Sequence, residues 1–367
     1  MDENDLIAVL RLQNIPNIGD VSAKKLIDHC GSPAAVFADK RQQLLKIDGI
    51  GSYTLRSLYD GQYREAAEAE YAYIQKNQIE YTYFKDEEHP KYLKHCIDSP
   101  TLLFKRGNID LTERKIISVV GTRNITSYGT AFCEKFIEDI APLNPIIVSG
   151  FAYGVDITAQ KAAVKHGLQT IGCLAHGLNQ MYPKLHSKYI RDVEKNGGFY
   201  TEFWSTSQPE REHFLKRNRI IAGMSEATVV VESAEKGGSL VTADIANSYN
   251  RDVFAVPGRT KDRYSVGCNN LIKQQKAHMM TSAADLIYLL NWDIPEKKAQ
   301  SVQKQLFIEL DDTEQSIYDY LLKDGKQLMD TIALERQLPI FKVSSTLLNM
   351  EMKGVIRPLP GKLFEAI

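Results

Sequence analysis

Between Lys115 and Gly258, short apolar runs alternate with longer amphipathic stretches, and this alternation limits the fold more than any other property of the chain. The runs are IISVVG, IIVSG, TIGCLA, GFYTEF, TVVVE and DVFAVPG, most of them rich in Val and Ile and bounded by glycine. Between them lie helical patterns such as GTAFCEKFIEDIAP, which sets Phe132, Phe136, Ile137 and Ile140 on one face. Apolar strands separated by amphipathic helices require a parallel sheet covered on both faces. Right-handed crossovers then gather the loops that follow the strands along one edge, where ligands bind in such sheets. The fold class expected for residues 78–292 is α/β, an extended Rossmann-like doubly wound parallel sheet.

The flanking segments carry other patterns. Residues 1–77 read as helical. Within them LQNIPNIGDVSAKKLI and LLKIDGIGSYTLRSLY each place an apolar residue, a tight turn ending at Gly19 or Gly51, a small polar residue and an amphipathic helix. That is the helix–hairpin–helix pattern of a SAM-like helical domain, with Asn17 in the first copy where the pattern prefers glycine and Gly49 in the second. Such a turn aims amide N–H groups at a phosphate. The segment holds nine Lys/Arg against eleven Asp/Glu, and phosphate neutralisation needs an excess of cations. DNA contact and a packing or partner-binding role therefore both stay open. Residues 293–309, DIPEKKAQSVQKQLFIE, are polar and read as a linker. From residue 310 to 367 the pattern is helix, helix, helix and short ribbon, a winged-helix arrangement. Its third helix offers only Lys342 and Lys353 as cations, and the segment has seven Lys/Arg against nine Asp/Glu. A protein-binding or architectural role stands there beside base reading.

A chain of 367 residues suits two or three domains. The net charge of −1 means that any nucleic-acid site must be a local patch. Five scattered cysteines with no C-x-x-C indicate neither a zinc site nor a disulfide framework, and point to a reducing cytoplasm. The acidic start MDENDLIAVL lacks the basic region of a signal peptide. No apolar run approaches the roughly 20 residues that span a bilayer.

Four loops at the carboxyl edge of the sheet carry the chemistry. They are Gly121-Thr122-Arg123; SGFAYGVD, where Ser149 and Gly150 end a strand; FLKRNRIIAG, with Lys216, Arg217 and Arg219 around Asn218; and KGGSLVTADIA, where Gly237, Gly238 and Ser239 precede a helix. Glycines let backbone approach an anion, helix N-termini add partial positive charge, and arginine offers a planar fork. A dinucleotide cofactor would need G-x-G-x-x-G after the first strand, and G-T-R-N-I-T fails that pattern. No G-x-x-x-x-G-K-[ST] P-loop occurs either. Several separated anion-ready loops suit an extended polyanion better than one pyrophosphate. Tyr128, Phe151, Tyr153 and Phe214 lie among them, and bases of a single strand stack on such rings for about 1–3 kcal/mol each. A duplex hides its bases. The plainer alternatives are an ordinary turn at Gly121, a solvated Arg217–Arg219 cluster paired with Glu210 and Glu212, and core positions for Tyr128 and Phe151.

Taken in order, VVGTRNITSYG, IVSGFAYGVDITAQ, GLNQMYPKLH, FLKRNRIIAGMS, VVVES with KGGSLVTADIA, RDVFAVPG and SVGCNNLI resemble the DNA-processing protein A family, DprA or Smf. The resemblance spans the middle segment, and the flanking segments match the family's three-part layout more weakly. It implies a cytoplasmic, dimeric protein of natural transformation, without enzymatic activity, catalytic residues, metal or cofactor. Such a protein binds single-stranded DNA with little sequence preference. It helps load the recombinase RecA, including onto strands coated by single-strand-binding protein. By motif position the resemblance assigns Arg123 as a phosphate clamp with the amides around Gly121 and Thr122. It places Ser149 and Gly150 in the same pocket and Lys184 facing the strand. It makes Arg217, Asn218 and Arg219 a basic rim, and Gly237, Gly238 and Ser239 a phosphate nest. It also places the dimer surface near residues 268–290. The sequence departs from the family pattern at Tyr153, Gln160, Asn179, His186 and Leu215, where Arg, His, Asp, Asn and Pro are usual. A similar fold serves nucleoside 5′-monophosphate phosphoribohydrolases of the LOG type. Their P-G-G-x-G-T-x-x-E signature has only KGGSLVTADIA as a counterpart, with Asp244 the one nearby carboxylate.

Overall fold

Strand β3, Ile116–Val120, is buried along its whole length in the computed structural model. Its alternate residues feed two apolar layers. Ile116 and Val120 pack with Ile220, Ile221 and Ala243 on one face, while Ile117 and Val119 pack with Phe136, Ile137 and Ala159 on the other. Helices cover both faces, as an all-apolar strand demands. The structure describes residues 1–293, 310–359 and 362–367. These belong to two compact units, Met1–Pro295 and Glu296–Ile367. All of the expected linker except Asp293 lies outside the described residues.

The first unit is built on nine strands: β1 Glu80–Tyr83, β2 Leu102–Gly107, β3, β4 Ile146–Ser149, β5 Thr170–Cys173, β6 Gly197–Thr201, β7 Ala227–Val230, β8 Asp252–Ala255 and β9 His278–Met279. Their order is β1-β2-β6-β5-β4-β3-β7-β8-β9. From β6 to β9 every pairing is parallel. All six strands expected from the sequence are present. Of the three missed strands, β1 and β9 are the two edges and β2 lies next to β1; β1 and β2 join antiparallel. Their sequences EYTY, LLFKRG and HM mix polar with apolar residues, and each strand has residues that are not buried.

The N-terminal helices pack onto this sheet. Leu6, Val9 and Leu10 of helix Glu3–Asn14 share an apolar cluster with Tyr83, Leu102, Phe104 and Phe199. In the first hairpin Asn17 takes the left-handed backbone, φ 67°, that glycine usually supplies. Helix Asp20–Cys30 follows it. The second copy departs from expectation: after Gly51 the chain runs in turns over residues 52–59 rather than in an amphipathic helix. Gly51, Ser52, Tyr53 and Thr54 are poor helix formers. Tight turns still bury Leu55 and Leu58 against Leu26 and Ile27.

The second unit holds helices Asp312–Asp324, Met329–Glu335 and Ile340–Met352 with β10 Gln327–Leu328, β11 Ile356–Leu359 and β12 Leu363–Ala366. The strands form a sheet in the order β10-β12-β11. Ile317, Leu321, Ile332, Val343, Leu347 and Met350 make its core. This is the expected winged helix, with a third strand, β10, that the sequence pattern did not announce. No helix among the described residues is long and apolar enough to cross a membrane.

Candidate nucleic-acid interface

From β3 the chain winds outward through β4 and β5 to β6, then returns to lay β7 against the other side of β3. Strand order therefore reverses between β3 and β7, and the loops leaving these two strands diverge to leave a crevice at their carboxyl ends. Gly121-Thr122-Arg123 leaves β3, and the loop leading to Gly237-Gly238-Ser239 leaves β7. A cleft of about 650 Å³ opens between them. Its walls include Gly121, Thr122, Arg123, Arg217, Asn218, Gly237, Gly238 and Ser239 of the residues singled out in the sequence.

Hydrogen bonds hold the Arg123 loop. The amide of Thr122 donates to the Glu232 carbonyl at 2.7 Å, and that of Val155 to the Thr122 carbonyl at 3.1 Å. The Glu232 carboxylate accepts from the Thr126 amide at 2.9 Å and the Thr126 hydroxyl at 2.5 Å. A Cβ on Gly154, whose φ is 75°, would sit 2.2 Å from the Thr122 carbonyl oxygen. Glycine there lets the next helix approach the loop. Arg123 stays exposed, with its guanidinium 5.2 Å from the Phe214 ring centre. Phe214 lines the cleft and meets Tyr182 edge-on at 5.7 Å. No side chain caps helix Gly238–Ser248, so its positive end faces the cleft.

Arg217 forms the floor. It is 4% exposed and donates from Nη1 to the carbonyls of Gly150, at 2.7 Å, and Cys173. Asp156 also lines the cleft while 7% exposed, and accepts from the Gly150 amide at 3.1 Å. Burial raises the Asp156 pKa, with Arg217 and nearby amides opposing the rise. Burial lowers that of Arg217, opposed by Asp156.

Four assigned residues fall elsewhere. Arg219 is not on the rim: it is buried on the other side of its helix, paired with Glu202 and, at 3.0 Å, with Asp20. Burial works against its charge, but the two carboxylates outweigh burial and raise its pKa. Ser149 and Gly150 lie beneath the cleft rather than in its wall. The Ser149 hydroxyl is spent on the Val119 carbonyl at 2.6 Å. Lys184 is exposed beyond the cleft, two positions after Tyr182. Among the aromatic residues, Phe151 is core, packed edge-on against Phe199. Tyr128 is 51% exposed.

The sequence reasoning missed Arg211 and Arg263, which both line the cleft. Arg211 opens the helix that carries Arg217, one turn and a half upstream. Arg263 belongs to RTKDR, three cations in five residues after β8, and that density was the available signal. Two departures from the family pattern meet: Tyr153 packs edge-on against His186 at 5.0 Å, and His186 Nδ1 lies 2.8 Å from the Phe151 carbonyl. Gln160 is fully buried with neither amide atom partnered among the described residues, and nothing in the structure explains it.

The model of the family DNA recombination-mediator protein A matches residues 80–291, and that of the DprA winged helix domain matches residues 303–362. Over 55% of its length the chain is 37% identical to DNA processing protein DprA of Streptococcus pneumoniae, covering 71% of that protein. Over 75% of its length it is 33% identical to protein Smf of Escherichia coli, covering 74% of it. The crystal structure of the S. pneumoniae protein superposes with a TM-score of 0.67 at 29% identity, over 78% of this chain and 98% of that one. DNA processing protein A of Helicobacter pylori, described for its single-stranded DNA binding mode, gives 0.52 at 28% identity, over 58% of this chain and 96% of that one.

Proposed function

The chain belongs to the DNA recombination-mediator protein A family, and we propose that its first unit holds single-stranded DNA by the phosphates in the cleft between β3 and β7. The observation that carries this is the convergence of Arg123, Arg211 and Arg263 with the Gly121 and Gly237 loops on one cleft, where the Arg123 guanidinium lies over the Phe214 ring. Cations and amides suit phosphates in sequence, and a ring held under a guanidinium suits an unstacked base. The single-strand binding described for the H. pylori relative supports the same ligand.

On this reading the protein acts in DNA processing during natural transformation, and it brings RecA to the strand it protects. The family's description as a recombination mediator supports the second role. A homodimer is supported by exposed apolar side chains at one sheet edge, Met279 of β9 with Tyr288 and Leu289. Five unpaired cysteines suit the cytoplasm. We infer binding without catalysis: among the described residues Asp156 is the one carboxylate lining this cleft, and it is held by amides beside Arg217 where an acid–base pair needs a second. Release of free base from nucleoside 5′-monophosphates would overturn that part.

The test is a titration of labelled single- and double-stranded oligonucleotides at several salt concentrations. The single strand should bind more tightly whatever its sequence. Arg123→Ala should lower the salt slope by about 0.7, the value for one phosphate contact on a single strand. Equal affinity for both forms, or an unchanged slope, would remove the basis of the proposal. RecA loading is read separately, as recombinase assembly on strands coated with single-strand-binding protein, and no acceleration would exclude it.

A further inference from the structure

A second cleft, of about 880 Å³, adjoins the first and shares Arg263 and Tyr264 with it. The loop between β8 and helix Val266–Lys273 forms one wall, and Thr126 and Tyr128 contribute to the other. Resting on the single-strand function proposed above, we propose that the bound strand runs on past Arg263 into this second cleft. Arg259 and Lys261 then take further phosphates there, and Tyr128 takes a base.

The loop is pinned at both ends and charged between them. At its start the Asn269 amide group brackets Gly258, accepting from its N–H at 3.1 Å and donating to its carbonyl at 3.0 Å. At its end the Tyr264 carbonyl accepts from the Ser233 amide at 2.7 Å. Arg259, Lys261 and Arg263 are exposed between these anchors, and among the described residues none of them has an ion-pair partner. Cations held near one another and not paired off in salt bridges favour a polyanion, and pinned backbone lowers the ordering cost of binding it. Tyr128 is exposed over half its surface, yet its hydroxyl donates to the Pro257 carbonyl at 2.9 Å, so the ring is held in place. Two carboxylates also line the cleft. Glu232 is buried and accepts from Thr126, Asp262 is exposed, and together they leave the three cations of this cleft an excess of one. Two shared residues make the clefts one continuous track, which suits a polymer better than two small anions.

The experiment compares the full chain with an Arg259→Ala/Lys261→Ala variant on oligo-dT of graded length. Both side chains are exposed, so the thermal unfolding of the variant should match the parent's. On the shortest oligonucleotides that bind, the two proteins should agree. On longer ones the variant should show a salt slope lower by about 1.4, two contacts at about 0.7 each. Tyr128→Ala should weaken long oligonucleotides by about tenfold, the loss of one stacked base, and leave short ones alone. Parent-like slopes on long oligonucleotides would overturn the proposal. A parent with no preference for single strands would instead overturn the function on which it rests.

Discussion

Arg217 and Arg219 stand two positions apart in one sequence cluster and have different tasks. Arg217 neutralises the interior beneath the cleft. Arg217→Ala would leave the carbonyls of Gly150 and Cys173 short of a donor and Asp156 without its cation. We expect a loss of about 3 kcal/mol in urea unfolding. The deficit should depend on pH. The folded pKa of Asp156 is raised, so its share of stability is full below the ordinary carboxylate value and falls as pH climbs through the folded one. Removing Arg217 raises that pKa further, so the deficit should be largest near neutrality and shrink in acid. His89 behaves oppositely. It is 1% exposed, and burial, with Lys24 and Lys94 nearby, pushes its pKa down to about 3 from 6.5. Its stabilising share is present above 6.5 and drains away as pH falls toward about 3. His89→Gln should flatten the stability profile in that window by up to about 1.4 kcal/mol per pH unit. An unchanged profile would mean that His89 does not titrate on unfolding.

Helix Arg211–Met224 is the element that both divides and joins the first unit. At 100° per residue, positions 211, 214, 215 and 218 share a face, and that face lines the cleft. Positions 216 and 219 look the other way, where Lys216 and Arg219 meet the buried carboxylate of Glu202. Asp20, at the start of helix Asp20–Cys30, completes this cluster and also accepts from the Thr101 amide at 2.8 Å. The first hairpin is thus engaged by the sheet. Asp20→Ala should cost about 3 kcal/mol and speed amide exchange in helix Asp20–Cys30. Single-strand affinity should change less than twofold. Arg123→Ala should give the reverse pattern, with affinity lost and exchange unchanged. The cluster of cations was legible in the sequence. Its division between two faces follows from helical phase, which the sequence also contained. The partners Glu202 and Asp20 lie far away along the chain, and folding alone brings them to Arg219.

At the scale of the molecule, every residue of both clefts belongs to the first unit, while the described winged helix presents Phe341, Leu348 and Met352 exposed along its third helix. A chain ending at residue 293 should therefore keep single-strand affinity within about threefold, as loss of an acidic tail with no cationic excess demands. A collapse of affinity would place essential contacts in the second unit. The parallel sheet, its six central strands and the anion-ready glycine loops were determined by the sequence itself. Period, apolar runs and glycine act over a few residues, and those interactions are written in order along the chain. Tertiary structure alone decided that the β3 and β7 loops face each other across a crevice and that Ser149 lies under its floor. It decided too that Arg219 serves the N-terminal helices and that the β8 loop extends the basic track. Each of these joins positions tens or hundreds of residues apart, and only the winding order of the strands and the burial of unlike charges together bring them into contact.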